Sequence, residues 1–316
     1  MHSISGKSEP ASTLSQRFAR AMTSPRSGLP LLCGLVACLS WSIGSVLSKV
    51  ALSRMEPLTL LLGQLAVSSL SLSALSIWLG APIRLGDWRV GLPGLLQPTL
   101  AHGLSTYGLT MVPATAEAML FAVETPLVIL LAWPILGEFP SRAIGLLCVL
   151  AFAGVGLLSW NSEIDPYALR KCGVALVLGG VLFASLYNIA ICRMSRDVDA
   201  LRLARASQTV AFLTVGLAWT FISPLPEMSL TVADATLVVA SGLLLQAVPF
   251  LLYGIALQRM SATAAALLLP LIPVFTAVFA AVLLQEMLTA RQWLGAAAVL
   301  LSALGMPIAL RDDRPH

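Results

Sequence analysis

Two carboxylates stand where a carboxylate is expensive. The stretch 114–138, ATAEAMLFAVETPLVILLAWPILGE, is apolar enough to lie in lipid, yet it carries Glu117 and Glu124 well inside. An acid at bilayer depth costs roughly 2.5–3.5 kcal/mol even on lenient insertion scales. The two are seven residues apart, or two turns of a continuous helix, so they are expected on one face with Phe121 between them. Two such groups on one stripe point to a wet or protein-lined cavity that takes up a cation or a proton. The alternative is a protonated Glu hydrogen-bonded to a neighbouring helix.

Other chemistry-bearing residues lie in apolar surroundings. His102, in QPTLAHGLSTYG, could pass a proton or donate to a solute, or sit neutral and bonded to its neighbours. Tyr107, Tyr187 and Tyr253 are three of the four tyrosines, and all fall in apolar segments. Their faces could hold an ammonium group or an aromatic solute, or simply pack or belt the interface. Asn188 and Gln246 suit a pocket or helix–helix bonding, and the sequence leaves both open. Pro126 and Pro273 fall inside spans and free carbonyls there. Glu138 and Glu286 sit at span ends, where helix termination and loop contacts are the expected roles.

The elements that position these residues follow from hydropathy. The 316 residues are 58% hydrophobic and only 11% charged, and mean hydropathy is +0.88. A soluble chain is about 25% charged, so this is an all-α, polytopic membrane protein. Ten apolar segments are expected, near 29–52, 57–79, 90–111, 114–136, 142–160, 172–192, 205–222, 234–257, 262–285 and 291–310. With the N-terminus in the cytoplasm, fourteen of the nineteen Lys and Arg fall on the cytoplasmic side. That asymmetry places both termini in the cytoplasm, with residues 1–28 a disordered arm, 311–316 a tail and 161–171 an extracytoplasmic loop. The basic residues belong to loops, so the net charge of +4 argues for no nucleic-acid partner. The five cysteines are odd in number, fit no metal spacing and read as small buried hydrophobes.

The chain also repeats itself. Ala114-Thr115-Ala116 recurs as Ala262-Thr263-Ala264, and Glu138 as Glu286, both 148 residues later. Tyr107-Gly108 matches Tyr253-Gly254 at 146, Lys49 and Gln64 match Arg193 and Gln208 at 144, and Gly145 matches Gly295 at 150. Five spans per unit is odd, so consecutive units (29–160 and 172–310) must insert with opposite orientation. Inverted five-helix repeats are transporter architecture, with a site near the midplane. By the same offset, Glu117 and Glu124 correspond to Ala265 and Ile272, so the acid is one-sided.

Several of these residues form a pattern. They are Trp41-Ser42-x-Gly44 with Lys49, Ala114 through Pro126 to Glu138, and Gly145. The second copy has Phe183-Ala184, Tyr187, Arg193, Ala262, Pro273 to Glu286, and Gly295. In this order the chain resembles the drug/metabolite transporter superfamily, specifically the ten-helix EamA-type permeases, over about 29–310. Where that family often carries Arg in the second and seventh spans, this chain has Gln64 and Gln208. The resemblance implies efflux or exchange of small metabolites, often amino acids or amines, through a central cavity. Spans 1, 3, 4, 6, 8 and 9 would wall it, and Trp41 joins the candidate site on that ground. The expected protein is an inner-membrane exporter or exchanger of an amino acid, amine or drug-like solute, working by alternating access with lipid and coupling protons as partners. A homodimer and a non-transporting scaffold of the same fold stay open. No phosphate loop, HExxH or Gly-x-Ser-x-Gly occurs, so neither catalysis nor a cofactor or metal is expected.

Overall fold

The computed structural model describes residues 28–312 apart from 82, 85, 137–141, 160–166, 195–196, 223–230, 260–267, 270 and 287–288. Glu138, the Ala262-Thr263-Ala264 copy, and most of the expected arm, tail and 161–171 loop lie outside the described residues. Every described element is helical. In order they are α1 (Leu29–Ala51), α2 (Pro57–Trp78), α3 (Asp87–Gly91), α4 (Ala101–Met111), α5 (Ala114–Phe121), α6 (Glu124–Leu136) and α7 (Arg142–Ser159). After these come α8 (Tyr167–Met194), α9 (Ala200–Ile222), α10 (Val232–Ser241), α11 (Val248–Arg259), α12 (Leu271–Leu283) and α13 (Ala290–Asp312).

Among the described residues, four stretches are long and apolar enough to cross a membrane: Leu29–Ala51, Pro57–Trp78, Lys171–Ile191 and Val232–Gln258. Several other expected spans are shorter or interrupted. A 3₁₀ turn (Leu92–Leu95) and a π turn (Leu96–Leu100) join α3 to α4, and a π turn (Gly242–Ala247) joins α10 to α11. Gln97 has extended dihedrals, φ −142° and ψ 126°, inside the first of these. The expected continuous helix over 114–136 is also broken. Val123 N–H donates to Leu120 O one residue too early, and α6 starts afresh at Glu124. Pro126 explains the position of the break, because it has no N–H to offer the carbonyl of Ala122. In the first turn of α6 that missing donor costs nothing.

The outside of the bundle is apolar. Phe221 is 81% exposed, and Leu70, Ile77, Leu146, Leu217 and Val282 stand out beside other helices. The inside carries the small and polar residues, as lipid-embedded packing requires. On α1, Ser42 and Ser48 satisfy their hydroxyls on the carbonyls of Cys38 and Gly44, and both are buried. Gly44 lies so close to the second π turn that a Cβ there would meet Leu245 N at 2.6 Å. Gly94 in the 3₁₀ turn likewise rests on the backbone of Ser207 in α9.

The most extensive pairings are α7 with α13, α4 with α8, α2 with α9, and α1 with α11 and α12. Each joins an element before residue 160 to one after 166, so the two halves of the chain interlock.

Among the described residues, three ion pairs tie the halves at two sites, one at each end of the bundle. At the end holding residues 79–87, Asp87 accepts from Arg202 Nε at 2.8 Å and from Arg205 Nη2, and its Oδ2 also accepts from Arg84 N–H at 3.2 Å. Asp87 is 5% exposed and Arg205 4%. Burial pushes the Asp87 carboxyl up, but the Arg84 N–H and then the two guanidiniums outweigh it and hold it below the usual carboxylate range. At the end holding residues 52–56, Arg54 Nη1 reaches Asp234 Oδ1 at 3.4 Å, with the Arg54 side chain 54% exposed. Asp234 is chiefly a capping residue, exchanging hydrogen bonds with Thr231 at the start of α10.

Candidate functional site

A cavity of about 1100 Å³, counting the open space at its mouth, lies among α1, α4, α5, α6, α8, α11 and α12. Helix breaks surround it. Gln97, from the first π turn, and Leu245, from the second, line its wall. The break between α5 and α6 stands between Glu117 and Glu124, and both still face the cavity with Phe121. The shared lining therefore comes from a broken helix and not from the single straight face that the spacing suggested. Breaks of this kind free backbone groups only where protein or a cavity can receive them.

The two acids are held differently. Glu117 Oε2 accepts from Ser45 Oγ at 2.7 Å, a bond between α5 and α1. Lys49, one turn further along α1, lies within electrostatic reach of Glu117 and of Glu286. Its ammonium donates to the carbonyls of Leu109 (2.5 Å) and Val112 (2.7 Å) at the C-terminal end of α4, a favourable place for a cation. Glu286 in turn accepts from Ala114 N–H, Thr115 N–H and Thr115 Oγ1 at 3.1, 3.1 and 2.9 Å, capping the N-terminus of α5 from the other half of the chain. The expected role of Glu286 in helix termination is thus met on a helix distant in sequence. Among the described residues Glu124 has one hydrogen-bond partner, Asn188 Nδ2 of α8, which donates to its Oε1 at 2.6 Å. As the first residue of α6, Glu124 also sits where a helix N-terminus favours negative charge.

The aromatic wall is a connected cluster centred on Phe250. Trp41, Tyr187 and His102 each meet it edge-on at centroid distances of 5.9, 5.9 and 5.8 Å, and Trp41 meets Tyr253 at 5.4 Å. These are attractive geometries for ring quadrupoles. Phe250 was not singled out from the sequence, where one Phe in an apolar run carries no signal. Tyr107 does not join this cluster. It packs with Leu58, Leu61 and Leu65, and its hydroxyl donates to Glu56 at 3.0 Å, beyond the end of the cavity. An odd position in a span does not fix which way a ring points, and the neighbouring Glu56 was the stronger attraction.

His102 is buried in a web of amides. Gln97 Nε2 lies 3.3 Å from its Nε2, and the Gln246 amide faces its Nδ1 with Nε2 at 2.7 Å and Oε1 at 3.1 Å. Both ring nitrogens thus face amide side chains. Gln246 is thus a helix-bonding residue. Gln208 Nε2 donates to its backbone carbonyl at 3.3 Å. Gln64 donates to Ser48 and Ser241 at 2.8 and 2.9 Å, so an amide joins α2, α1 and α10. Thr276 of α12 also faces the cavity, and its buried hydroxyl has no hydrogen-bond partner among the described residues. Among the described residues no group of three metal-ligating side chains occurs.

An outwardly apolar helical bundle thus encloses, between interlocked halves, a cavity lined by aromatic rings and two carboxylates. Residues 28–160 and again 171–307 match the EamA-like transporter family, so the chain belongs to that family, within the drug/metabolite transporter superfamily, and is a multi-pass membrane protein. It is similar to Uncharacterized transporter YvbV of Bacillus subtilis (strain 168), with 28% identity over 205 residues, or 62% of this chain. The chain spans 65% of the length of that relative. A solved structure described as "Crystal structure of protein" has the same fold, with a TM-score of 0.64 at 20% identity, covering 90% of this chain and 99% of that one.

Proposed function

We propose that the protein is a secondary transporter of a small organic solute, working as an exporter or exchanger by alternating access. The observation that carries this reading is the cavity itself, which holds two carboxylates and an aromatic cluster inside a bundle whose outer surface is apolar. Ionisable groups at that depth mark solute or proton paths. In this reading the chain crosses the inner membrane ten times as two inverted five-helix repeats, with both termini cytoplasmic, and rocking of one half against the other exposes the cavity in turn. Glu124 is the shared proton and solute site. Only one positive charge need occupy it at a time, which couples proton entry to solute exit. Glu117, tied to Ser45 and close to Lys49, sets the local field, and His102 stays neutral as a wall residue.

The test is transport in proteoliposomes with a pH gradient, using a panel of labelled amino acids, amines and cationic dyes. Gradient-driven flux of at least one solute is expected, and Glu124→Gln should lower it more than ten-fold while the protein still inserts and purifies. A scaffold of the same fold moves no solute under any gradient. Unchanged pH dependence in Glu124→Gln would make the acid a structural hydrogen-bonding group.

A further inference from the structure

We infer that the cavity selects organic cations that carry no carboxylate, which means amines or quaternary ammonium compounds with an aromatic body, and rejects amino acids. The inference rests on the transport reading above and narrows its solute. Three observations lead to it. First, the described residues lining the cavity include two acids, Glu117 and Glu124, and neither a Lys nor an Arg. The carboxylate of an amino acid would enter a low-dielectric space beside two acids with no cation to meet it. Lys49 does not fill that role, since its ammonium is bound to the carbonyls of Leu109 and Val112.

Second, the two acids differ in what compensates them. Glu117 has Lys49 within electrostatic reach, whereas Glu124 has a single neutral amide partner, Asn188, on Oε1. Its other oxygen makes no hydrogen bond to a described residue. A bound ammonium supplies the missing charge and a donor to that oxygen.

Third, Trp41, Phe250, Tyr253 and Tyr187 line the same cavity as Glu124. Their ring faces attract a cation and their edges seat an aromatic body, so charge and body are recognised together. The selectivity against carboxylates comes from what the wall lacks, which is a common source of discrimination between related solutes.

Three indoles with one ring and different charges test this: tryptamine (cation), tryptophan (zwitterion) and indole-3-propionate (anion). Each is titrated against the full chain in detergent by thermal shift and competed against tryptamine uptake in proteoliposomes. Tryptamine should bind at least ten-fold more tightly than tryptophan, with no measurable binding of indole-3-propionate. Glu124→Gln should erase the preference for tryptamine over tryptophan. Phe250→Leu, which keeps the wall apolar, should weaken tryptamine more than cyclohexylamine. Equal or tighter binding of tryptophan overturns the inference, and so does retained preference in Glu124→Gln or binding of none of the three. If the panel experiment still finds a transported solute in any of those cases, the transport reading stands and only the solute class falls. If the panel finds none, both fall.

Discussion

The two ends of the bundle are fastened by the same chemistry at different depths. Arg54 and Arg202 are 148 residues apart, the spacing of the Ala-Thr-Ala and Glu pairs of the repeat, and Asp87 and Asp234 are 147 apart. Each Asp lies in the first turn of a helical segment that leads toward a π turn, and each meets an Arg from the other half. At Asp87 the pair is buried, doubled by Arg205 and braced by a backbone N–H. At Asp234 it is single, longer and open to solvent. Holding at that second end is spread over the Glu286 cap on α5 and the Lys49 contacts with α4. The difference shows that equivalent positions need not carry equivalent energy. One end is closed by a single deep lock, and the other by several shallow ties that can be released one at a time. Under the alternating-access proposal, that asymmetry sets which opening is easier.

The sharpest way to break the comparison is Asp87→Asn. It leaves two guanidiniums, one of them buried, without an anion, and should cost about 3–5 kcal/mol, read as a lower melting temperature in detergent. The Asp87 carboxyl is held below its ordinary range, so its contribution is full above about pH 4 and is lost only as pH falls through the depressed value. The native protein should therefore lose stability on acidification in a step that Asp87→Asn lacks. A midpoint for Asp87→Asn within error of the native one would mean the lock contributes nothing.

Glu286→Ala is the next largest. It removes three acceptor contacts from the start of α5 and should cost about 1–2 kcal/mol. Because α5 carries Glu117 toward the cavity, solute affinity should fall along with stability, and an unchanged affinity would separate the cap from the site. The smallest effect belongs to Arg54→Ala. An exposed pair at 3.4 Å contributes little, so its melting midpoint should be indistinguishable from the native value. A large drop there would erase the distinction between the two ends.

Much of this was legible in the sequence for one reason: lipid tolerates few polar groups. Glu117, Glu124, His102, Asn188, Tyr187 and Tyr253 stand out against an apolar background, Trp41 joins them through the family resemblance, and the fold brings all seven to one cavity. What was not legible depends on direction and on pairing. Tyr107 shares composition and repeat position with Tyr253, yet turns to Glu56, because facing cannot be read from a helix that later breaks. Phe250 is chemically unremarked until its neighbours are known. The break before Glu124 was not foreseen, because a proline acts on the carbonyl four residues earlier, here that of Ala122. The Asp87 lock hides among loop charges, where Arg202 and Arg205 look like ordinary membrane-flanking residues.

The interlocking of the halves bears on how the chain is made. Asp87 emerges 115 residues before Arg202, roughly 6–23 s earlier at ~5–20 residues per second. During that interval Asp87 lacks both guanidiniums and Gln64 lacks the Ser241 hydroxyl, because these partners belong to helices still unsynthesised. The first half of the chain is therefore expected to need shelter at the insertion machinery until the second half arrives to cover these groups.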